Sequence, residues 1–217
     1  NGDQFDDLAV SVAGRTPTVE LFRGREDWGS ERVLLDASLA YADTESPLVR
    51  PTADGDVRFV DTGTFTGRVQ LPGALLDGLD SVTLEFWFKT PDVGRTQTIF
   101  STANGSADNL FTVFLDAGGS AFDVLDNGAQ YTFETQVNLA NDSWRHVSIV
   151  RDAAAQTLSL FLDGTLVETQ SATLATLSVD PNGIWLGQDQ DTVGGGFQSS
   201  QRFVGRLDAL RVWSAAR

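Results

Sequence analysis

Apolar residues in this chain recur at every second position along short runs, and few stretches keep the i, i+3, i+4, i+7 spacing of an amphipathic helix. The clearest run is Val82-Thr83-Leu84-Glu85-Phe86-Trp87-Phe88-Lys89. Successive side chains of an extended strand point to opposite faces, so Val82, Leu84, Phe86 and Phe88 share one face and Thr83, Glu85, Trp87 and Lys89 the other. The same period places further strands at 8–13, 18–22, 32–36, 57–61, 66–71, 97–101, 110–116, 121–125, 130–137, 145–151, 157–162, 165–170, 183–187 and 203–213. Short strands at regular spacing predict an all-β chain folded as a two-sheet antiparallel sandwich or jelly roll. Asp126-Asn127-Gly128 and Asp163-Gly164 separate alternating runs with residues that tolerate positive φ, as tight hairpins require. Both aspartates are expected to be structural.

At 217 residues the chain is read as one domain, 1–217, able to bury a core without disulfide or metal staples. It has no Cys, which removes disulfides, Cys-ligated zinc and thiol nucleophiles. Its single His, His146, excludes multi-histidine zinc sites and is the one candidate for a Ser-His-Asp triad. It lies in the strand-like run 144–150, where a packed or hydrogen-bonded histidine is expected. Thirty acidic residues against 15 basic ones give a net charge of -15, and the basic residues are scattered singly. That pattern argues against tracking nucleic-acid phosphates. No run approaches the ~18 apolar residues of a membrane span. Residues 1–56 are less regular, with Pro17, Pro47, Pro51 and acidic clusters at Asp6-Asp7 and Asp54-Gly55-Asp56, and read as outer strands or a linker. Val19-Glu20-Leu21-Phe22 and Arg32-Val33-Leu34-Leu35 are apolar enough to favour packing. The chain opens at Asn1 and closes just after a strand-like run, so it is expected to be a module with neighbouring domains in a longer secreted or surface polypeptide.

Sandwich-fold glycosidases need acids paired across a cleft, often as Glu-x-Asp-x-x-Glu on one strand. This chain has no such string and only seven Glu, so no catalysis is expected. Gly194-Gly195-Gly196 lacks the Lys of a phosphate loop. The surrounding segment 187–201 is instead rich in oxygen donors. Calcium takes six to eight hard oxygens, and Asp189 and Asp191 bring two charges with a carbonyl between them. It is not an EF-hand, because Val193 and Ser200 stand at positions five and twelve.

Ile184-Trp185-Leu186-Gly187-Gln188-Asp189-Gln190-Asp191-Thr192-Val193-Gly194-Gly195-Gly196-Phe197-Gln198, with Gln201 and 203–208, resembles the calcium-loop region of pentraxins. Thr98-Ile99-Phe100-Ser101-Thr102-Ala103 followed by Asp108-Asn109 is similar to the pentraxin segment that supplies the remaining ligands. Trp144-Arg145-His146-Val147 with Leu160-Phe161-Leu162-Asp163-Gly164 resembles the wider laminin-G-like, concanavalin A-like superfamily, and the resemblance covers about 57–213. It implies a jelly roll with one calcium ion held by Asp108, Asn109, Asp189, the Gln190 carbonyl and Asp191. A second ion would share Asp189 and Asp191 and add Gln198 and Gln201. Pentraxins usually have Glu at the positions of Asp189 and Gln198, so the second site is expected to be weaker. Phe114 resembles the aromatic flanking the pentraxin ligand pocket. The function implied is a calcium-dependent lectin-like module of a bacterial adhesin, with sugar hydroxyls or a phosphate headgroup completing the calcium shell. The alternatives are a laminin-G-like structural or protein-interaction domain in which calcium only rigidifies loops, and the sandwich of a carbohydrate-active enzyme.

Overall fold

A computed structural model describes residues 58–59 and 67–217, together with the strand backbone of the earlier segments. The strands are β1 (Leu8–Ser11), β2 (Thr18–Arg23), β3 (Glu31–Leu34), β4 (Val49–Pro51), β5 (Val57–Phe59), β6 (Val69–Leu71), β7 (Val82–Lys89), β8 (Gln97–Asn104), β9 (Ala107–Asp108), β10 (Phe111–Leu115), β11 (Ala121–Asp126), β12 (Ala129–Glu134), β13 (Arg145–Asp152), β14 (Thr157–Leu162), β15 (Thr165–Ser171), β16 (Ile184–Leu186) and β17 (Gly205–Trp213). They pair antiparallel in two large sheets. One runs β12-β11-β10-β8-β16-β6, with β9 added to β8, and the other β15-β14-β13-β7-β17-β5-β4. This is the two-sheet jelly-roll sandwich that the period-two pattern predicts. Of residues 1–56, β1, β2 and β3 form a sheet of their own and β4 pairs with β5. The acidic clusters at 6–7 and 54–56, Pro17, Pro47 and the packing expected of 19–22 and 32–35 lie outside the described residues.

Alternation determines which side chains meet between the sheets. Val82, Leu84, Phe86 and Phe88 of β7 have no exposed surface, whereas Trp87 is 42% exposed. Facing them from the other sheet are Phe100, Phe111, Val113, Leu115, Phe122 and Val124, all buried in the same core. Phe88 meets Phe122 edge to face at 5.6 Å. Each such side chain contributes about 1.5–3 kcal/mol on burial. Both predicted hairpins are tight turns with two consecutive positive φ values, 48° and 79° at Asn127 and Gly128, and 49° and 77° at Asp163 and Gly164. Asp163 also accepts from Arg145 Nη1 and the His146 N–H, both at 2.9 Å. The His146 ring lies 5.2 Å from that of Trp87, the packed strand histidine that was expected. The differences from the sequence reading are local. The 130–137 run ends at Glu134, just before Gln136 turns to φ 59°, and β4 and β9 are too short for any periodicity to show.

Among the described residues, one ion pair crosses the core. Arg151 of β13 has no exposed surface and donates through Nε to Asp126 Oδ2 at 2.5 Å and through Nη2 to Oδ1 at 3.2 Å. It also donates to the backbone carbonyls of Asp80 and Ala175. Asp126, legible in the sequence only as a hairpin residue, thus ties β11 to the opposite sheet. Removing one member strands the other's polar groups in an apolar core. Arg151→Ala is expected to cost about 3–5 kcal/mol in urea unfolding, and the double variant Arg151→Met/Asp126→Leu should recover much of that loss.

Candidate metal and ligand site

Segment 187–203 leaves β16 and returns to β17 as a loop closed at its neck, where the Phe203 N–H donates to the Gly187 carbonyl at 2.8 Å. Gly187 has φ +84°, and a Cβ there would fall 2.5 Å from the Phe59 ring. The neck is therefore open only to glycine. Phe59 meets Phe203 edge to face at 5.4 Å, anchoring the loop's base in the core. At the tip, Thr192 and Gly195 exchange backbone hydrogen bonds at 2.9 and 3.3 Å, and Gln190 Oε1 accepts from the Gly194 N–H at 3.0 Å.

The loop folds back over the outer face of the sheet containing β8. Phe100 points into the core, so Ser101 points outward beneath the loop, paired in register with Trp185. Its hydroxyl donates to Asp189 Oδ1 at 3.1 Å, and the Gln190 N–H donates to the same oxygen at 3.0 Å. The Gln190 amide donates to the Gly183 carbonyl at 2.9 Å, leaving that side chain no exposed surface. The structure thus packs Asp189 and Gln190 at the floor of the loop and leaves Asp191 exposed. The Asp191 carboxylate is taken up by Gln198, whose Nε2 donates to its two oxygens at 3.0 and 3.1 Å.

Asp108 and Asn109 arrive from β9 and the turn after it. Asn109 adopts φ 56°, a conformation that asparagine tolerates. Its carbonyl accepts from the Gly128 N–H at 3.2 Å, and the Leu110 carbonyl accepts from Asn127 at 3.1 Å. The 127–128 hairpin therefore holds this turn in place. Phe114 lies on the same sheet face as Thr112 but is 6% exposed, which leaves it little surface to offer a ligand.

Burial pushes the Asp189 carboxyl up to about 6, the charges of Asp191 and Asp108 act in the same direction, and the hydrogen bonds from Ser101 and Gln190 oppose them. Two further sequence-selected residues carry unsatisfied acceptors: Asn109 Oδ1 and Gln201 Oε1 are buried with no hydrogen-bond partner. Buried polar atoms are rarely left so. Among the described residues, no group of three or more His, Cys, Asp or Glu side chains is gathered for a metal ion. The donor set is instead mixed, with carboxylates beside amide oxygens, which is the hard-oxygen chemistry calcium takes. Orphaned oxygens and a desolvated carboxylate that is hard to ionise both fit a cation here. Ser101, which positions Asp189, escapes the sequence reading because a strand serine carries no distinguishing signal.

A family model described as "Concanavalin A-like lectin/glucanases superfamily" matches residues 61–217. The chain belongs to that superfamily. Within it, the chain is similar to pentraxins. Human Pentraxin-4 is 30% identical over 198 residues, which make up 87% of this chain and 41% of that protein. The chain spans between 41% and 61% of the first three curated relatives it matches. Among solved structures, the native heptameric SAP-like pentraxin from Limulus polyphemus superposes with a TM-score of 0.58 at 23% identity, covering 68% of both chains. The CBM40 of a Ruminococcus gnavus IT-sialidase, bound to α2,6 sialyllactose, superposes at 0.53 with 19% identity over 66% of this chain and 82% of its own. These likenesses to solved structures establish a shared concanavalin A-like fold.

The raised Asp189 pKa has a defined consequence for stability. The folded value of about 6 exceeds the ordinary 3.8, so the folded state binds the extra proton between them. The contribution is fully present below about pH 4 and is lost as pH rises through about 6. In chelator, urea stability of the native protein is expected to fall between pH 4.5 and 7.5 by on the order of 2 kcal/mol more than that of Asp189→Asn. Parallel pH profiles for the two proteins would remove Asp189 as the cause.

Proposed function

We propose that this chain is a calcium-dependent lectin-like binding domain of a larger secreted or surface adhesin, whose ligand completes the calcium coordination. The carrying observation is a buried Asp189 carboxyl that feels the charges of Asp191 and Asp108, with two further candidate ligand oxygens, Asn109 Oδ1 and Gln201 Oε1, buried and unsatisfied. The superfamily holds both lectins and glucanases, and similarity to pentraxins within it supports a binding rather than a catalytic role. No helix among the described residues is long and apolar enough to cross a membrane.

Asp108, Asn109, Asp189, the Gln190 carbonyl and Asp191 would hold the first ion. Bound there, calcium supplies a positive centre with coordination positions open to ligand oxygens. Asp189 is fixed by Ser101 and Gln190, so little ordering entropy remains to be lost at that residue. Asp191 is exposed and would be open to a ligand from solvent. The Gln198 amide must leave Asp191, and turned about its last torsion it presents Oε1 instead of Nε2. Gln201 and Gln198 would then serve a second, weaker ion, since one carboxylate fewer than the pentraxin pattern surrounds it. Vicinal sugar hydroxyls or a phosphate headgroup are the ligand chemistry that such an open site takes.

Calorimetry on chelator-stripped protein is expected to give about one calcium per chain, with the folded state about 2.7 kcal/mol more stable at free calcium 100-fold above Kd. Asp191→Ala should weaken calcium binding at least ~100-fold while its melting temperature in chelator stays that of the native chain. Unchanged calcium affinity in that variant would overturn the assignment, and glycan binding that persists in EDTA would favour a laminin-G-like interaction domain. Gln198→Glu is expected to bring the stoichiometry from about one toward two ions by restoring a carboxylate.

A further inference from the structure

Arg68 stands just before β6, the edge strand of the sheet that carries the loop. Its guanidinium carbon lies 4.0 Å from the centroid of the Phe197 ring and 5.5 Å from that of Trp185. The two rings meet edge to face at 4.8 Å. Phe197 belongs to the loop and immediately precedes Gln198, the residue that holds Asp191. Arg68 therefore flanks the proposed calcium site on the β6 side.

The polar side of this arginine is unaccounted for. Arg68 Nε is buried without a hydrogen-bond partner, and burial lowers the pKa of the group. Among the described residues no carboxylate or carbonyl pairs with it. The ion-paired arginines show the usual arrangement: Arg145 reaches Asp163 and Arg151 reaches Asp126. Aromatic contact engages the face of the guanidinium and burial covers Nε, which leaves the in-plane fork of its two Nη groups as the means of recognition. That fork matches a planar two-oxygen anion held by parallel hydrogen bonds.

We infer that Arg68 is a specificity residue that receives the carboxylate of an acidic saccharide whose hydroxyls reach the calcium site beside it. The inference rests on the lectin reading above and adds the charge class of the sugar. A chain of net charge -15 repels anions at long range, so selection of an acidic ligand requires local positive charge. Arg68 supplies it, with no competing acid paired to it among the described residues. Phe197, which is half-buried, adds apolar surface of the kind that packs against the C–H face of a sugar ring, with the buried Trp185 bracing it from behind.

The test uses the whole chain in calcium on an array of uronate-terminated and sialylated glycans, each beside its neutral methyl ester, followed by calorimetry on the native chain, Arg68→Gln and Arg68→Lys. The native chain is expected to prefer acid over ester by at least ~10-fold, about 1.4 kcal/mol. Arg68→Gln should lose that preference while its calcium affinity stays within about twofold of native, and Arg68→Lys should keep only part of it. Retention of the full preference by Arg68→Gln would overturn the inference, as would binding confined to neutral glycans or to phosphocholine, or no glycan binding by a calcium-loaded chain. Loss of calcium binding in the native chain would instead strike the reading beneath it. An acid preference that survived in EDTA and vanished in Arg68→Gln would then uphold Arg68 alone.

Discussion

A guanidinium with no exposed surface joins the two sheets of this sandwich. Arg151 spends its donors on the Asp126 carboxylate and on two backbone carbonyls, so the pair is fully engaged. Such a pair adds little net stability over well-packed hydrophobes, because both charges lose their hydration. Its structural effect is to fix position. Asp126 is the last residue of β11, and the next two residues form the turn whose N–H groups hold the Leu110 and Asn109 carbonyls. A buried charge in the middle of the fold thus sets where Asn109 stands at its edge.

The second constraint is the closed neck of the 187–203 loop. The Gly187 to Phe203 hydrogen bond and the absence of a Cβ at Gly187 draw both loop ends against the core. Between them the loop satisfies its own backbone, with Gln190 serving as an internal strut. The site is consequently a rigid floor, Ser101 with Asp189 and Gln190, and an exposed rim, Asp191 with Gln198. Rigid placement beneath with solvent access above is the division of labour that a binding loop on a β-scaffold permits.

Much of this was legible in the residue order. Period-two runs gave the strands because a sheet buried on one face leaves that imprint, and Val82 to Lys89 is read correctly side chain by side chain. The hairpins at 127–128 and 163–164 were legible because positive φ admits few residue types. Asp189 and Asp191 stood out as acids alternating beside glycines. Ser101, Arg68 and the Arg151 to Asp126 bridge did not stand out. Their roles arise from pairs separated by 25 to 129 residues in the chain, and nothing local distinguishes an arginine that crosses a core from one that faces water. β4 and β9 escaped for a simpler reason, since two or three residues cannot display a period.

Gln198 gives the loop a property that a glutamate there would not. Its amide offers two N–H contacts to Asp191, so the carboxylate already faces a partial positive charge. Under the proposed function, arrival of a cation would be a displacement rather than an addition. The free energy measured for it would be the difference between two occupied arrangements, and the rate at which the rim accepted an ion would be tied to the rotation of one side-chain amide.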